Sequence, residues 1–303
     1  MDGLILVDKP PDITSHDVVA RLRKILAFQK IGHFGTLDPL ATGLLIAAVG
    51  KATKFFPFFS QLDKVYQGRI RLGFSTDSYD RLGVPLAEVS LSYPDSGDVR
   101  RAMKIFEGEI DQTAPPFSAK KFQGKPLYTF ARRKNIVKLP PFRVHIHSFR
   151  LQDYAPPYLD FEVKCSSGTY IRSLAHDLGQ RLGCGAHLAE LVRTEIGEFR
   201  LKDGFALDKI ENLAQTGRAS EFFKPLETLL PAFPKIELTQ IGLRLVQNGR
   251  PVFPEHIIQP DLFSWPAGQK EAVFRLFSPE GRLVALAKRR DTPLSFSPFL
   301  VLG

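Results

Sequence analysis

Gly32-His33-Phe34-Gly35-Thr36-Leu37-Asp38-Pro39-Leu40-Ala41-Thr42-Gly43-Leu44-Leu45 is the stretch on which the reading of this chain turns. Gly32 and Gly35 permit unusual backbone angles and close approach by another molecule. Asp38 precedes Pro39, which holds Asp38 out of the helical region and itself suits a first helical position. Asp38 therefore reads as the N-cap of a following helix. A carboxylate at a helix start is kept charged by the helix dipole, and a fixed, charged carboxylate is what catalysis by aspartate requires. Capping and catalysis are compatible at this position. Two near-matches nearby fail. Gly43 to Thr53 has six residues between its glycines where a phosphate-binding loop needs four, and Ala52 stands where Ser or Thr should follow Lys51. No Gly-x-Gly-x-x-Gly follows the first strand, so a dinucleotide site is unsupported.

Upstream, Leu4 to Val7 reads as a short buried strand, followed by a turn at Lys9-Pro10-Pro11-Asp12. Thr14 and Asp17 form a capping-box start, with Val18, Val19, Leu22, Ile25 and Leu26 as the apolar stripe of the helix. Downstream, Tyr66 to Leu72 and Leu159 to Cys165 alternate as strands, and Val99 to Phe106 reads as a helix. Ser166 to Thr169 is a turn, and Tyr170 to Leu182 a helix with Ile171, Leu174, Leu178 and Leu182 on one side. A further helix is expected near His187. The prolines around Leu229 to Pro234 mark a linker, and Phe274 to Phe277 and Arg282 to Ala287 read as strands of a small, mainly β unit.

With 303 residues, 44% hydrophobic and 24% charged, the chain fits one large domain plus a small one. No apolar run reaches the ~18–20 residues of a membrane span, and Asp2 stands where a signal peptide would carry base. Cys165 and Cys184 are too few for a disulfide framework, which suits a reducing compartment, and both read as small buried hydrophobes. His145 and His147 share one strand face but have no Cys or acidic partner at ligand spacing, so no metal is expected. Lys plus Arg number 41 against 32 Asp plus Glu, an excess compatible with a polyanionic partner. Residues 114–142 concentrate that charge: prolines bracket Lys120, Lys121, Lys125, Arg132, Arg133, Lys134 and Lys138, interleaved with Phe117, Phe122, Tyr128 and Phe130. A connection this long is uncommon without a function.

The string from Gly32 to Leu45 resembles the signature of the TruB-type tRNA pseudouridine-55 synthases. Further resemblances follow in the same order: Lys64-Val65-Tyr66 with Leu72-Gly73, Ser118 to Lys125, Ser167 to Leu174, and Gly183 to His187. The likeness spans about Gly3 to Phe199, and is weaker beyond Pro234. It implies an α+β fold: a pseudouridine-synthase catalytic domain over 1–232 on a mainly antiparallel mixed sheet with flanking helices. A mainly β, RNA-binding domain of PUA type would then occupy 235–303. It implies isomerisation of uridine to pseudouridine at position 55, in the T loop of tRNA, by a cytoplasmic, monomeric enzyme. The resemblance likewise implies no cofactor, metal or membrane, because such a reaction only moves the uracil from N1 to C5 attachment.

The resemblance assigns Asp38 as the catalytic carboxylate, attacking C1′, adding at C6, or taking a 2′ proton. Arg172 would hold Asp38 charged and oriented, and Tyr66 would pack on the base and take part in proton transfer at C5. His33 would occupy space near the flipped base, and Tyr170 and Leu191 would line the uracil pocket. Lys120, Lys121, Lys125, Arg132 and Arg133 would meet RNA phosphates from a mobile loop over 114–142. The rival readings are a non-catalytic RNA-binding or tRNA-folding protein, and a synthase that depends on a guide RNA.

Overall fold

In the computed structural model, which describes residues 2–118, 120–131, 133, 137, 139–258 and 272–302, the Leu4 to Val7 run lies within a strand, Gly3–Lys9. Its neighbour is Thr42–Val49, paired antiparallel from Gly3↔Val49 to Lys9↔Gly43. This second strand corrects the helix expected after Asp38: Pro39 and Leu40 make a turn, and the chain extends from Thr42 onward. The cause is burial on both faces. Leu44, Ile46 and Ala48 face one apolar cluster, whereas Leu45, Ala47 and Val49 face another. A short run that is apolar at every position cannot be told from a buried helix by its period.

The described residues form an eleven-stranded sheet whose main path runs Phe205–Ala206, Gly3–Lys9, Thr42–Val49, Ala186–Ile196, Lys64–Leu72, Tyr158–Cys165, Phe142–Ala155 and Gly108–Gln112. Along this path the pairings are antiparallel except at Phe205–Ala206 and at the junction of Thr42–Val49 with Ala186–Ile196. That junction is narrow, with Val192↔Thr42 and Arg193↔Gly43 as its pairs. A side chain on Gly43 would meet the Arg193 carbonyl oxygen at 2.5 Å, so glycine lets the two halves of the sheet touch, at φ +96°.

Ala186–Ile196 is also where a helix was expected near His187. It is a strand, paired antiparallel with Lys64–Leu72, with register shifts at Leu188/Glu190 and Arg193/Glu195. Each shift inserts a residue and breaks the two-residue alternation, leaving a pattern that reads like a helix.

Helices brace the sheet, two of them beside the site-forming segments. Ser15–Ile25 starts with the expected capping box, the Thr14 side chain accepting from the Asp17 N–H while the Asp17 carboxylate accepts from the Thr14 N–H. Ile171–Arg181 buries Ile171, Leu174, Ala175 and Leu178 against Ile70, Leu72, Val163 and Leu188. Each such fully buried aliphatic side chain contributes roughly 1.5–3 kcal/mol. A four-stranded sheet, Lys235–Glu237, Val273–Phe277, Leu283–Asp291 and Leu294–Val301, closes the chain. Phe277, Leu283, Leu286 and Leu302 join the apolar cluster that contains Leu4, Leu6 and Leu44. Arg275 donates to the carbonyls of Glu227, Leu229 and Phe233, fastening the proline-rich linker to this sheet. Among the described residues no helix is long and apolar enough to cross a membrane.

Candidate active site

The narrow junction in the sheet leaves a cleft of about 420 Å³, on whose wall lie Asp38, Lys64, Tyr66, Tyr170, Arg172 and Leu191. This is within the ~300–1,000 Å³ of typical small-molecule sites.

Asp38 sits on a loop pinned at almost every residue. The Ser15 hydroxyl accepts from the Leu37 N–H at 2.8 Å, and the Pro39 carbonyl accepts from the Asp12 N–H at 2.9 Å. Lys9, fully buried, donates from Nζ to the carbonyls of Pro10, Ile13 and Pro39. Arg193, 1% exposed, donates to the carbonyls of Leu44, Gly35 and Thr36. These bonds bind both ends of the loop, so the carboxylate is presented without a helix. The positive charge facing it comes from Arg172. Nε and Nη2 of Arg172 donate to Oδ2 and Oδ1 of Asp38 at 2.8 and 2.9 Å, a bidentate pair.

Arg172 is itself immobilised. It is 4% exposed, donates to the carbonyls of Ser78 and Phe117, and lies 3.4 Å from the carboxylate of Asp80. Asp80 is 6% exposed, and its Oδ1 accepts from the Ser78 hydroxyl and the Leu82 N–H. One buried guanidinium is thus shared by two carboxylates, of which Asp38, at 34% exposure, is the one open to the cleft.

Tyr66 forms the aromatic wall. Burial pushes its hydroxyl pKa up, opposed by Arg193, whose guanidinium lies 6.0 Å from the ring centre. Leu191 is buried on the adjacent strand, opposite Gly68. Tyr170 precedes the Ile171–Arg181 helix, and the Gln112 amide clamps its backbone, accepting from its N–H and donating to its carbonyl. Burial raises the Tyr170 pKa as well.

Asp38, Tyr66, Arg172, Tyr170 and Leu191 therefore lie together on one cleft wall. His33 is not with them. It lies on the strand Ile31–His33, paired with Ala47, outside the cleft wall; burial depresses its pKa and its Nδ1 is buried without a hydrogen-bond partner. In the basic loop, Lys121 and Lys125 are exposed on a tight hairpin turned by Gln123 and Gly124, and Arg133 is exposed too. Lys120 instead turns inward onto the cleft wall, its ammonium 3.4 Å from the centre of the Phe142 ring. Arg132 lies outside the described residues. Lys9, Asp80 and Arg193 were not anticipated as site residues. Lys9 and Asp80 sit among prolines, serines and glycine typical of turns, and Arg193 in a run that reads as helix, so nothing local marks them. Among the described residues no three or more His, Cys, Asp or Glu side chains are arranged to hold a metal ion. Cys165 is buried and its thiol pKa is pushed up to about 12 by desolvation, as suits a core residue.

The fold that frames this cleft has counterparts among solved structures. A chain in a Cbf5-Nop10-Gar1 complex superposes with TM-score 0.71 over 99% of this chain and 85% of its own length, at 26% identity. A chain in the archaeal box H/ACA sRNP Nop10-Cbf5 complex matches equally well, at 25% identity over 99% and 86%. The TruB family pseudouridylate synthase N-terminal domain matches residues 23–171, and the tRNA pseudouridylate synthase B C-terminal domain matches residues 172–231. Proteins named tRNA pseudouridine synthase B are similar over most of their length. That of Solibacter usitatus is 43% identical over 82% of this chain and 85% of its own. That of Opitutus terrae is 50% identical over 70% and 88%, and that of Thermotoga maritima 38% over 94% and 89%. The chain belongs to the TruB family of pseudouridylate synthases.

Proposed function

We propose that this chain converts uridine to pseudouridine in tRNA, at position 55 of the T loop, with Asp38 as its catalytic carboxylate. The bidentate Arg172–Asp38 pair carries the reading, because it fixes a charged, partly open carboxylate on the wall of a cleft. The uridine enters flipped out of the folded arm, since its sugar bond is out of reach within the stacked loop. The uracil lies between Tyr66 and Leu191, with Tyr170 on the same wall. Asp38 acts on the flipped nucleotide, by attack at C1′, addition at C6 or removal of a 2′ proton, and Tyr66 serves the C5 proton. Arg172 keeps the Asp38 oxygens at fixed positions, so that little reorganisation is needed as the bond breaks. His33, outside the cleft, fills space on the RNA side of the displaced base. Lys121, Lys125, Arg132 and Arg133 meet phosphate from the 114–142 loop, while Lys120 faces the cleft instead.

The four-stranded sheet after the linker serves as a PUA-like RNA-binding module over 235–303, beside a catalytic unit over 1–232. The enzyme works as a monomer in the cytoplasm, without a cofactor. A stand-alone enzyme is favoured over a guide-dependent one by the 38–50% identity to bacterial proteins named for tRNA, against 25–26% for the Cbf5 chains. The test is tritium release from C5-labelled uridine in an unmodified T-arm stem-loop, with no added RNA. Purified wild-type chain is expected to release the label and Asp38→Asn to release none. Equal release by both would sink the assignment of Asp38, and none by the wild type would sink the function.

A further inference from the structure

Three buried or half-buried cations besides Arg172 line the cleft: Lys64, Lys120 and Arg193. Arg193 spends its donors on three carbonyls, and Lys120 rests on Phe142. Lys64 is different. It is 5% exposed, yet the acceptor its Nζ reaches among the described residues is one carbonyl, Ser60 O at 2.7 Å. It makes no ion pair within 4 Å among those residues, and the nearby Ser60 hydroxyl, also on the cleft wall, is buried without a partner. An unpaired buried ammonium costs several kcal/mol, and a merely structural position is better filled by an apolar side chain. Two sets of unsatisfied donors therefore point to a group that arrives with the substrate.

Lys64 and Tyr66 are alternate residues of one strand and share its buried face, about 6–7 Å apart. Lys64, Ser60 and Tyr66 all lie on the wall of the cleft proposed to receive the uracil, rather than on the exposed basic loop. When the C1′–N1 bond breaks, its electron pair goes to N1, and the detached uracil carries a negative charge spread over N1, O2 and O4. The new bond then forms from C5 to C1′, C5 loses its proton and N1 gains one, so the product is an isomer. We infer that Lys64 is a further catalytic residue, which with the Ser60 hydroxyl stabilises the uracil anion by hydrogen bonds to its carbonyl oxygen. Such donors act most strongly in a dry site, where the charge exists only transiently. This rests on the function proposed above.

The groups facing Lys64 are Arg193 and Cys165 on the neighbouring strands, Asp63 before it and Tyr66 beside it. Burial, with Arg193 adding to it, lowers the Lys64 pKa to about 8, while Cys165 is held near 12 and Tyr66 is raised. Lys9, behind the Asp38 loop, is also lowered to about 8, so the Lys64 variants must separate the two.

The experiment measures single-turnover rate and tRNA affinity for wild type, Lys64→Met, Lys64→Arg and Ser60→Ala. Lys64→Met is expected to lose about 100-fold or more in rate, with affinity within threefold of wild type. The wild-type rate is expected to fall as pH rises through about 8, and Lys64→Arg, which stays charged, to lack that fall. Ser60→Ala, a deletion of one hydroxyl, is expected to lose about 10-fold in rate at unchanged affinity. It carries the test if Lys64→Met does not fold. A rate loss under threefold, an affinity loss matching the rate loss (a phosphate contact), or a fall persisting in Lys64→Arg overturns the inference. Wild-type product beside an unimpaired Lys64→Met refutes Lys64 alone, whereas absence of wild-type product refutes the underlying function.

Discussion

Replacing Arg172 by Met separates two roles that one guanidinium performs. The change removes both bonds to Asp38, the bonds to the carbonyls of Ser78 and Phe117, and the 3.4 Å ion pair with Asp80. Asp38 regains water, being a third exposed, so its loss of a partner costs little stability. Asp80, at 6% exposure, does not. Stranding one partner of a buried pair costs about 3–5 kcal/mol. Asp80 keeps the Ser78 hydroxyl and the Leu82 N–H as donors, which sets the expectation at the lower end, about 3 kcal/mol. For a unit of this size that is a fall in Tm of roughly 6–12 °C. Asp38→Asn, by contrast, is expected to shift Tm by no more than about 3 °C. Both variants should drop below about a thousandth of wild-type tritium release. The double variant Arg172→Met, Asp80→Leu is the decisive arm. With both buried charges gone, stability should return to within about 1 kcal/mol of wild type while activity stays lost. Calorimetric melts beside tritium release measure both quantities. A Tm for Arg172→Met within 2 °C of wild type, or a double variant less stable than Arg172→Met, would refute the shared-guanidinium account.

Other outcomes follow from the same geometry. Gly43→Ala would drive a methyl into the Arg193 carbonyl at 2.5 Å and strain a residue at φ +96°, so a loss of at least about 3 kcal/mol in urea melts is expected. Neutralising exposed Lys121 and Lys125 together should flatten the slope of log affinity for tRNA against log salt by roughly 1.5, with the single-turnover rate at saturation preserved. An unchanged slope would remove those lysines from the RNA interface. Between pH 8 and 10.5 Lys64 has lost its proton in the folded chain but keeps it when unfolded. The unfolded state then binds more protons, so stability rises with pH through this window, by up to about 3 kcal/mol from this residue. Urea melts of wild type relative to Lys64→Met at pH 7.5 and 10 should show that rise, and a fall would reverse the sign of the argument.

Much of the fold could be read from local chemistry. The Thr14–Asp17 box, the alternation of Tyr66 to Leu72 and of Leu159 to Cys165, and the stripe of the Ile171–Arg181 helix are each encoded within a few residues. The two misread segments, after Asp38 and around His187, lie on either side of the junction where the halves of the sheet meet. One is apolar at nearly every position and the other is bulged twice, so neither carries a clean period. The site divides in the same way. Asp38, Tyr66, Arg172 and Tyr170 lie in the ordered motifs that carry the resemblance, and the fold gathers them on one cleft wall. Lys9, Asp80 and Arg193 owe their roles to partners 30 to 158 positions away, which no local pattern encodes.

The shared apolar cluster between the first strand and the last has a practical consequence for dissecting this enzyme. Cutting the chain at the linker would strip Phe277, Leu283, Leu286 and Leu302 from Leu4, Leu6 and Leu44, and would free the carbonyls that Arg275 holds. A truncated catalytic unit would carry a greasy scar and aggregate or sag, and any drop in turnover would be misattributed to lost RNA contacts. Charge reversals on the outward face of the tail, leaving its inner face intact, are the cleaner way to learn what it contributes.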